Sequence, residues 1–287
     1  MKSTNFANFK RELQQDNVFV NSKLVTLQEL TGLPPAKGLE KAVVSEGKIV
    51  NVVSATYGHL PNEKFFYNVE EKLIDAGVGY ITRSINRDNR SFVVDYILSD
   101  ENYHVNVKQG SDKIRPMLRF TNSYDGSCKT AGHFGFFREV CSNGLHVLKT
   151  DIGFGVKHRG NIAEIVLPEI STLVKKFFDN DFYSLQRKFE VLAETPITDL
   201  KQWVKLTADQ LKLFQFEASK ENKEPSLNAR LIIDTINKEA DLLKVSPNFW
   251  LGYNAFNEVL HGKLKKTFSQ QRALDAKLFE TVYHMAQ

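Results

Sequence analysis

The side chains able to do chemistry crowd into one stretch of this chain, Arg115 to Val147 (RPMLRFTNSYDGSCKTAGHFGFFREVCSNGLHV), which holds both cysteines and three arginines. Zinc is the first chemistry to consider, because Cys128, His133, Cys141, His146 and His158 are all legitimate ligand types. Their spacing contains no C-x-x-C or H-x-x-x-H pair, so the pattern predicts no metal site. Nucleophilic catalysis fares no better: Ser123, Ser127, Ser142, Cys128 and Cys141 have polar neighbours but no Gly-x-Ser-x-Gly elbow and no Cys-His signature. Gly153-x-Gly155 does not open a helix after a strand, and neither phosphate-loop nor dinucleotide spacing occurs. Asp125, Glu139 and Asp151 are scattered acids of a kind usually solvated or paired with arginine, which gives magnesium no defined cage. No catalytic residue and no cofactor are therefore predicted.

Two constellations remain. Arg83, Arg87, Arg90, Arg115, Arg119, Lys149, Lys157, His158 and Arg159 concentrate on predicted strands and their loops, where a basic face could track a phosphate backbone. Tyr80, Tyr96, Phe134, Phe136 and Phe137 are interleaved with them, as stacking platforms for unpaired bases would be. A solvated sheet face with ordinary core aromatics explains the same pattern, and both readings stay open. The second constellation is polar: Asn122, Ser123, Asp125, Arg138 and Asn143, with His158, are suited to hydrogen-bonding a small ligand. Arg138 is its odd member, since strict alternation puts it with Phe134 and Phe136 on the packed side. Either a bulge re-aims it, or it is a buried arginine paired with a carboxylate such as Asp125 or Glu139.

The elements that must position these residues are readable in outline. Residues 1–47 read as an irregular or short-helical lead-in, broken at Gly32-Leu33-Pro34-Pro35. KIVNVVSATY from Lys48 is a β-branched strand, and Asn62 is placed to cap a helix that stops at Gly77. Strands at 78–86 and 91–98 are joined by Arg87-Asp88-Asn89-Arg90, a hairpin connection. In RPMLRFTNSY, alternation puts Arg115, Met117, Arg119, Thr121 and Ser123 on a wet, basic face and Leu118, Phe120, Asn122 and Tyr124 on the packed one. HFGFFREVC follows, then the Asn143-Gly144 turn and a broken strand with Gly153 and Gly155 as bulge positions.

After Pro168 apolar residues recur at helical spacing, with a break at Asp179-Asn180-Asp181 and further helices at Leu227–Leu243 and Ser269–Met285. Another is capped by Ser246, with Pro247 at its first position. This order predicts an α+β protein: an antiparallel sheet with a packed helix, then a mostly α-helical C-terminal region. The divisions are a lead-in over 1–47, a sheet domain over 48–167 and a helical region over 168–287.

Composition bounds the rest. The chain has 287 residues, 42% hydrophobic and 25% charged, which is globular composition. Its apolar runs are too short to cross a bilayer, and MKSTNFANFKREL carries no apolar leader, so a cytoplasmic location is expected. Two cysteines exclude a disulfide framework. A net charge of +4 permits anionic partners without demanding them.

The motif order TNSYDGS, GFFREVCSNGL, KHRG, GYNAFNEVLHG and ALDAKLFE resembles the phage/plasmid-like proteins grouped as domain of unknown function 932. One departure is Lys157-His158-Arg159-Gly160, where the family pattern has His, a small hydroxyl residue and Gly. The resemblance implies a mobile-element protein of the host cytoplasm, encoded near recombination, antirestriction or repair functions. The predicted order of strand, helix and antiparallel strands is also compatible, by analogy of fold alone, with the sheet-and-helix arrangement of single-strand annealing proteins. The expected function is single-stranded DNA binding through the basic sheet face, without catalysis, with the helical region available for homo-oligomer contacts. The alternatives are an enzyme or nucleotide- or metal-binding protein with its site at the Asn122–Asp125 turn, and an antirestriction or host-interaction protein.

Overall fold

A computed structural model describes residues 13–101, 104–107, 112–138, 144–145, 153–179, 182–219, 221–264, 266 and 268–287. The lead-in is more regular than its sequence suggested. β1 (Ser22–Thr26), α1 (Leu27–Thr31) and β2 (Lys41–Ser45) precede β3 (Lys48–Val53), and the three strands form a small antiparallel sheet in the order β1-β2-β3. Thr26 and Glu29 make a reciprocal capping box on α1, and Gly32 ends that helix at φ 73°, a left-handed value that glycine adopts without strain.

The larger sheet has seven strands. Its main path is β10 (Gly153–Val156), β8 (Thr130–Arg138), β7 (Asp112–Ser123), β5 (Ser91–Leu98) and β4 (Tyr80–Arg87). Short β6 (Val105–Val107) pairs with β7, and β9 (Gly144–Leu145) with β8. All of these pairings are antiparallel. The β4–β5 hairpin turns on Asp88 and Asn89, with φ of 53° and 55°, and Arg90 N–H donates to the Arg87 carbonyl at 2.9 Å. Two consecutive positive-φ residues match the twist of a tight hairpin, and Asn and Asp tolerate them best after glycine.

One face of this sheet carries Phe92, Val94, Tyr96, Leu118, Phe120, Phe134 and Phe136 and packs against helices. α2 (Asn62–Asp75) brings Phe65 onto Phe120, with ring centres 5.9 Å apart. α3 (Ile162–Phe178) brings Phe177 onto Phe134 at 5.3 Å, and α4 (Phe182–Glu194) brings Phe189 onto Phe136 at 5.2 Å. Each such ring removed from water contributes about 1.5–3 kcal/mol. α5 (Leu200–Leu211), α6 (Leu227–Leu243), α7 (Phe249–Gly262) and α8 (Phe268–Ala286) complete the C-terminal region. The fold is thus α+β: antiparallel sheets with a packed helix, followed by α-helices.

Several local expectations need correcting. Asn62 is the first residue of α2 and not its cap, because its side chain is drawn into an interior network. Asn248, not Ser246, caps α7, accepting from Leu251 N–H at 3.0 Å. α3 begins before Pro168 and carries the proline inside it. Gly153 and Gly155 make no bulge but pair in register with β8. A Cβ on Gly153 would lie 2.7 Å from His133 Nδ1, so close strand approach explains that glycine. The Asn143-Gly144 turn depends on Asn143, which lies outside the described residues.

Candidate functional site

The polar constellation resolves into an internal brace and an open groove beside it. Asn122 and Ser123 end β7, where the strand turns toward β8, and Asn122 is 0% exposed. Asn122 Nδ2 donates to the Leu60 carbonyl at 2.9 Å and to Asn62 Oδ1 at 2.8 Å, while its Oδ1 accepts from Thr130 Oγ1 at 2.8 Å. Asn62 Nδ2 continues to the Val18 carbonyl at 2.7 Å, and Asn62 N–H donates to Tyr124 Oη at 2.9 Å. Ser123 Oγ donates to the Cys128 carbonyl at 2.7 Å and thereby closes the turn. These side chains are consumed in joining α2 and its approach segment to the sheet. Full satisfaction of a buried network fixes a unique geometry.

Two histidines line the seam. His158 Nε2 lies 3.4 Å from Ser123 Oγ, and its ring stacks on Tyr57 with centres 5.4 Å apart. His59 Nε2 bonds Ser22 Oγ at 3.0 Å. Burial lowers both imidazoles: His59 falls to about 4, with its His158 neighbour adding to the effect. The Gly58 and Cys128 backbone groups partly oppose the fall at His158. Both rings are therefore neutral near pH 7. Burial raises the Tyr57 phenol far above its ordinary value, and the Asp125 charge raises it further.

The expected basic face is placed differently from its sequence reading. Its central arginine, Arg119, is 8% exposed, and Met117, Thr121 and Ser123 on the same side are buried. Register puts Asp95 opposite both Arg83 and Arg119. Arg83 Nε and Arg119 Nη2 each donate to Asp95 Oδ2 at 2.8 Å. Burial alone would raise the Asp95 carboxyl, but Arg119 and Arg83 outweigh it and hold it below the usual carboxylate range. That face is an internal ion-pair cluster. The proposed stacking residues are also enclosed: Tyr96, Phe134, Phe136 and Phe137 are buried, and Tyr80 is half-buried.

Arg138 separates from the turn altogether. It lies eight residues along β8 from Thr130, roughly 26 Å away at strand rise. The β7–β8 register continues through it without a bulge. It pairs with Asp112 and Glu239, at the end of β8 away from Asp125, and Glu139 lies outside the described residues. Arg115 is half-buried toward that same end of β7. Lys157 and Arg159 flank His158 and are exposed, with Arg159 in a backbone bridge to Tyr57. Lys149 and Asn143 lie outside the described residues.

The open feature is a groove of about 840 Å³ against the brace. One wall is the β4–β5 turn (Arg87, Asp88, Arg90), another is the β7–β8 turn (Asp125, Ser127, Cys128), and the third is the α7–α8 corner (His261 to Leu264, Lys266, Gln270, Gln271). Four cations, Arg87, Arg90, Lys263 and Lys266, face two carboxylates, Asp88 and Asp125. Arg90, Lys263 and Lys266 enter no ion pair among the described residues. Arg87 Nη1 reaches the Lys266 carbonyl at 3.4 Å and spans the gap between the sheet turn and the corner. Cys128 is free, 6% exposed and raised to about 11 by burial, which makes it an inert lining thiol.

Sequence reasoning found Arg87, Arg90 and Asp125 but missed His261, Lys263, Lys266, Gln270 and Gln271. The available signal was the basic run HGKLKK directly after the aromatic stripe of α7. Among the described residues no group of three or more His, Cys, Asp or Glu could hold a metal ion, and no helix is long and apolar enough to cross a membrane.

No curated protein and no solved structure matches the chain. The family described as domain of unknown function (DUF932) matches residues 49–278, which takes in Asn62, Asn122 and Thr130 of the brace, the Asp95 cluster and every wall of the groove. On that match, the chain belongs to the DUF932 family.

Proposed function

We propose that this protein binds single-stranded nucleic acid, and that the strand runs through the groove between the two sheet turns and the α7–α8 corner. The observation that carries the reading is the open groove with Arg90, Lys263 and Lys266, which enter no ion pair among the described residues, on its rim and Arg87 between them. Cations held at a concave surface without internal carboxylate partners are what phosphate recognition requires. A lining that mixes Asp88, Asp125, Ser127, Gln270 and Gln271 with them adds hydrogen-bonding groups of both kinds, suited to sugar and base edges.

Burial of the Arg83–Asp95–Arg119 cluster supports reading the turns, and not the sheet face, as the binding surface, and the enclosed aromatics support phosphate contacts over base stacking. The family resemblance supports a place in the DNA metabolism of phages or other mobile elements, for a protein that acts by holding a strand. The test is anisotropy of a fluorescein-labelled oligothymidylate at low salt, with the triple variant Arg90→Ala/Lys263→Ala/Lys266→Ala beside the wild type. Wild-type binding that the triple variant loses supports the groove. Absence of binding at low salt, or equal binding by the triple variant, overturns it.

A further inference from the structure

His261 is a groove residue backed by a buried acid. It lies in the last turn of α7, lines the groove, and directs Nε2 toward Asp275 Oδ2 at 3.6 Å. Asp275, from α8, is wholly buried. Its other oxygen, Oδ1, accepts from Tyr253 Oη at 2.9 Å and Asn257 Nδ2 at 2.7 Å, so the carboxylate is held with Oδ2 facing the imidazole. Gln271 Nε2 reaches the His261 carbonyl at 3.4 Å and helps fix the corner. The negative end of the α7 dipole and a fixed carboxylate thus both lie beside the imidazole.

From this geometry we infer that the groove is a proton-linked anion site: a phosphate-bearing strand binds with uptake of a proton on His261, and Asp275 is the carboxylate that stabilises the resulting imidazolium. This rests on the groove reading above and deepens it. Charges of both signs share the groove with His261: Asp88 on the β4–β5 turn and Asp125 on the β7–β8 turn, with Asp275 of α8 behind the ring, and Arg87 and Arg90 from the first turn with Lys263 and Lys266 from the corner. Cys128, with its thiol raised by burial, contributes no charge near pH 7. A bound phosphate offsets the four cations and adds negative charge in the groove that His261 lines, so the ligand and the proton favour one another. By reciprocity, the affinity for the strand rises as pH falls through the histidine range.

The experiment measures oligothymidylate affinity at constant ionic strength from about pH 8.5 to about pH 5.5, the span in which an imidazole changes charge. It also measures calorimetric proton uptake in buffers of different ionisation enthalpy. The expected result is a tightening that approaches tenfold per pH unit at its steepest, the limit for one linked proton, with net proton uptake on binding. His261→Gln is expected to flatten the profile, and the exposed-histidine control His284→Gln to retain it. Wild-type proton counting needs no variant, so a His261→Gln chain that failed to fold would leave the test decisive. Binding with no proton uptake, or a pH slope that survives in His261→Gln, overturns this inference and leaves the groove reading standing. Absence of binding at every pH overturns both.

Discussion

Arg138 Nη1 in β8 and Glu239 Oε2 in α6 meet at 2.7 Å, both side chains buried, and so tie the sheet to the helical region by an ion pair. Asp112 joins the pair: its Oδ2 accepts from Arg138 Nε and from Trp250 Nε1, each at 2.7 Å. Burial raises the Glu239 carboxyl, and Arg138 only partly offsets that. Replacing the arginine strands two acids in the interior. Arg138→Leu is expected to cost about 3–5 kcal/mol, the range for breaking a buried pair from one side, as read by urea denaturation. The double variant Arg138→Leu/Glu239→Leu should recover part of that loss.

Asp95 invites the complementary test. Asp95→Asn leaves Arg83 and Arg119 facing each other without their shared carboxylate, and a loss of about 3–5 kcal/mol is expected. Arg119→Ala should likewise lower the unfolding midpoint. Strand affinity measured on the fraction that remains folded should fall little, because Arg119 is buried and spends its guanidinium on Asp95.

Acid should weaken the fold at the histidine seam. His59 and His158 have lowered values in the folded chain and ordinary ones when unfolded, so the unfolded chain binds more protons. Stability from this source is full above the unfolded imidazole value and is lost as pH falls toward the folded one, about 4 for His59. The slope is up to about 1.4 kcal/mol per pH unit for each histidine. Thermal melts across that window check it, and a His59→Gln/His158→Gln variant should show a shallower decline.

Two glycines are expected to reject even a methyl group. A Cβ on Gly252 in α7 would lie 2.3 Å from the Trp203 ring, and one on Gly132 in β8 would lie 2.6 Å from Leu173, Phe120 and Phe154. Alanine at either position is expected to destabilise by about 1–3 kcal/mol, the range for overpacking a filled core, which chemical denaturation measures.

The groove makes a quantitative salt prediction. For single strands each phosphate contact adds about 0.7 to the slope of log affinity against log salt. Removing Arg90, Lys263 and Lys266 together should therefore reduce that slope by about 2. A loss of affinity with an unchanged slope would mean that the three side chains act on structure and not on phosphates.

What the sequence disclosed depended on whether local chemistry or distant partners decided the outcome. The β4–β5 hairpin was readable because Asp88 and Asn89 suit the turn by themselves, and α6 because its apolar spacing repeats over many residues. β1 and β2 were not readable, since five-residue strands such as SKLVT and KAVVS gain their identity only by pairing. Asn62 had the chemistry of a helix cap, yet it went to Asn122, sixty residues away, because that carbonyl-rich interior needed a donor and an acceptor. Arg119 looked outward by alternation, and only the β5–β7 register showed Asp95 waiting opposite it. The groove was least legible of all, because its walls come from residues 87–91, 125–128 and 261–271 and no local pattern links them.

The seam around Gly58 also sets an order of events. A Cβ there would lie 2.6 Å from the Gly160 carbonyl oxygen, Gly160 N–H donates to the Thr56 carbonyl at 2.9 Å, and Tyr57 bridges Arg159. The segment after β3 thus waits for a partner about a hundred residues further along the chain. On a ribosome the small sheet and the β4–β5 hairpin can form early, while the segment after β3 stays unclosed until the His158–Gly160 segment emerges. Folding should therefore show a fast phase for local hairpins and a slow one for this closure, and Gly58→Ala should retard the second while leaving the first alone.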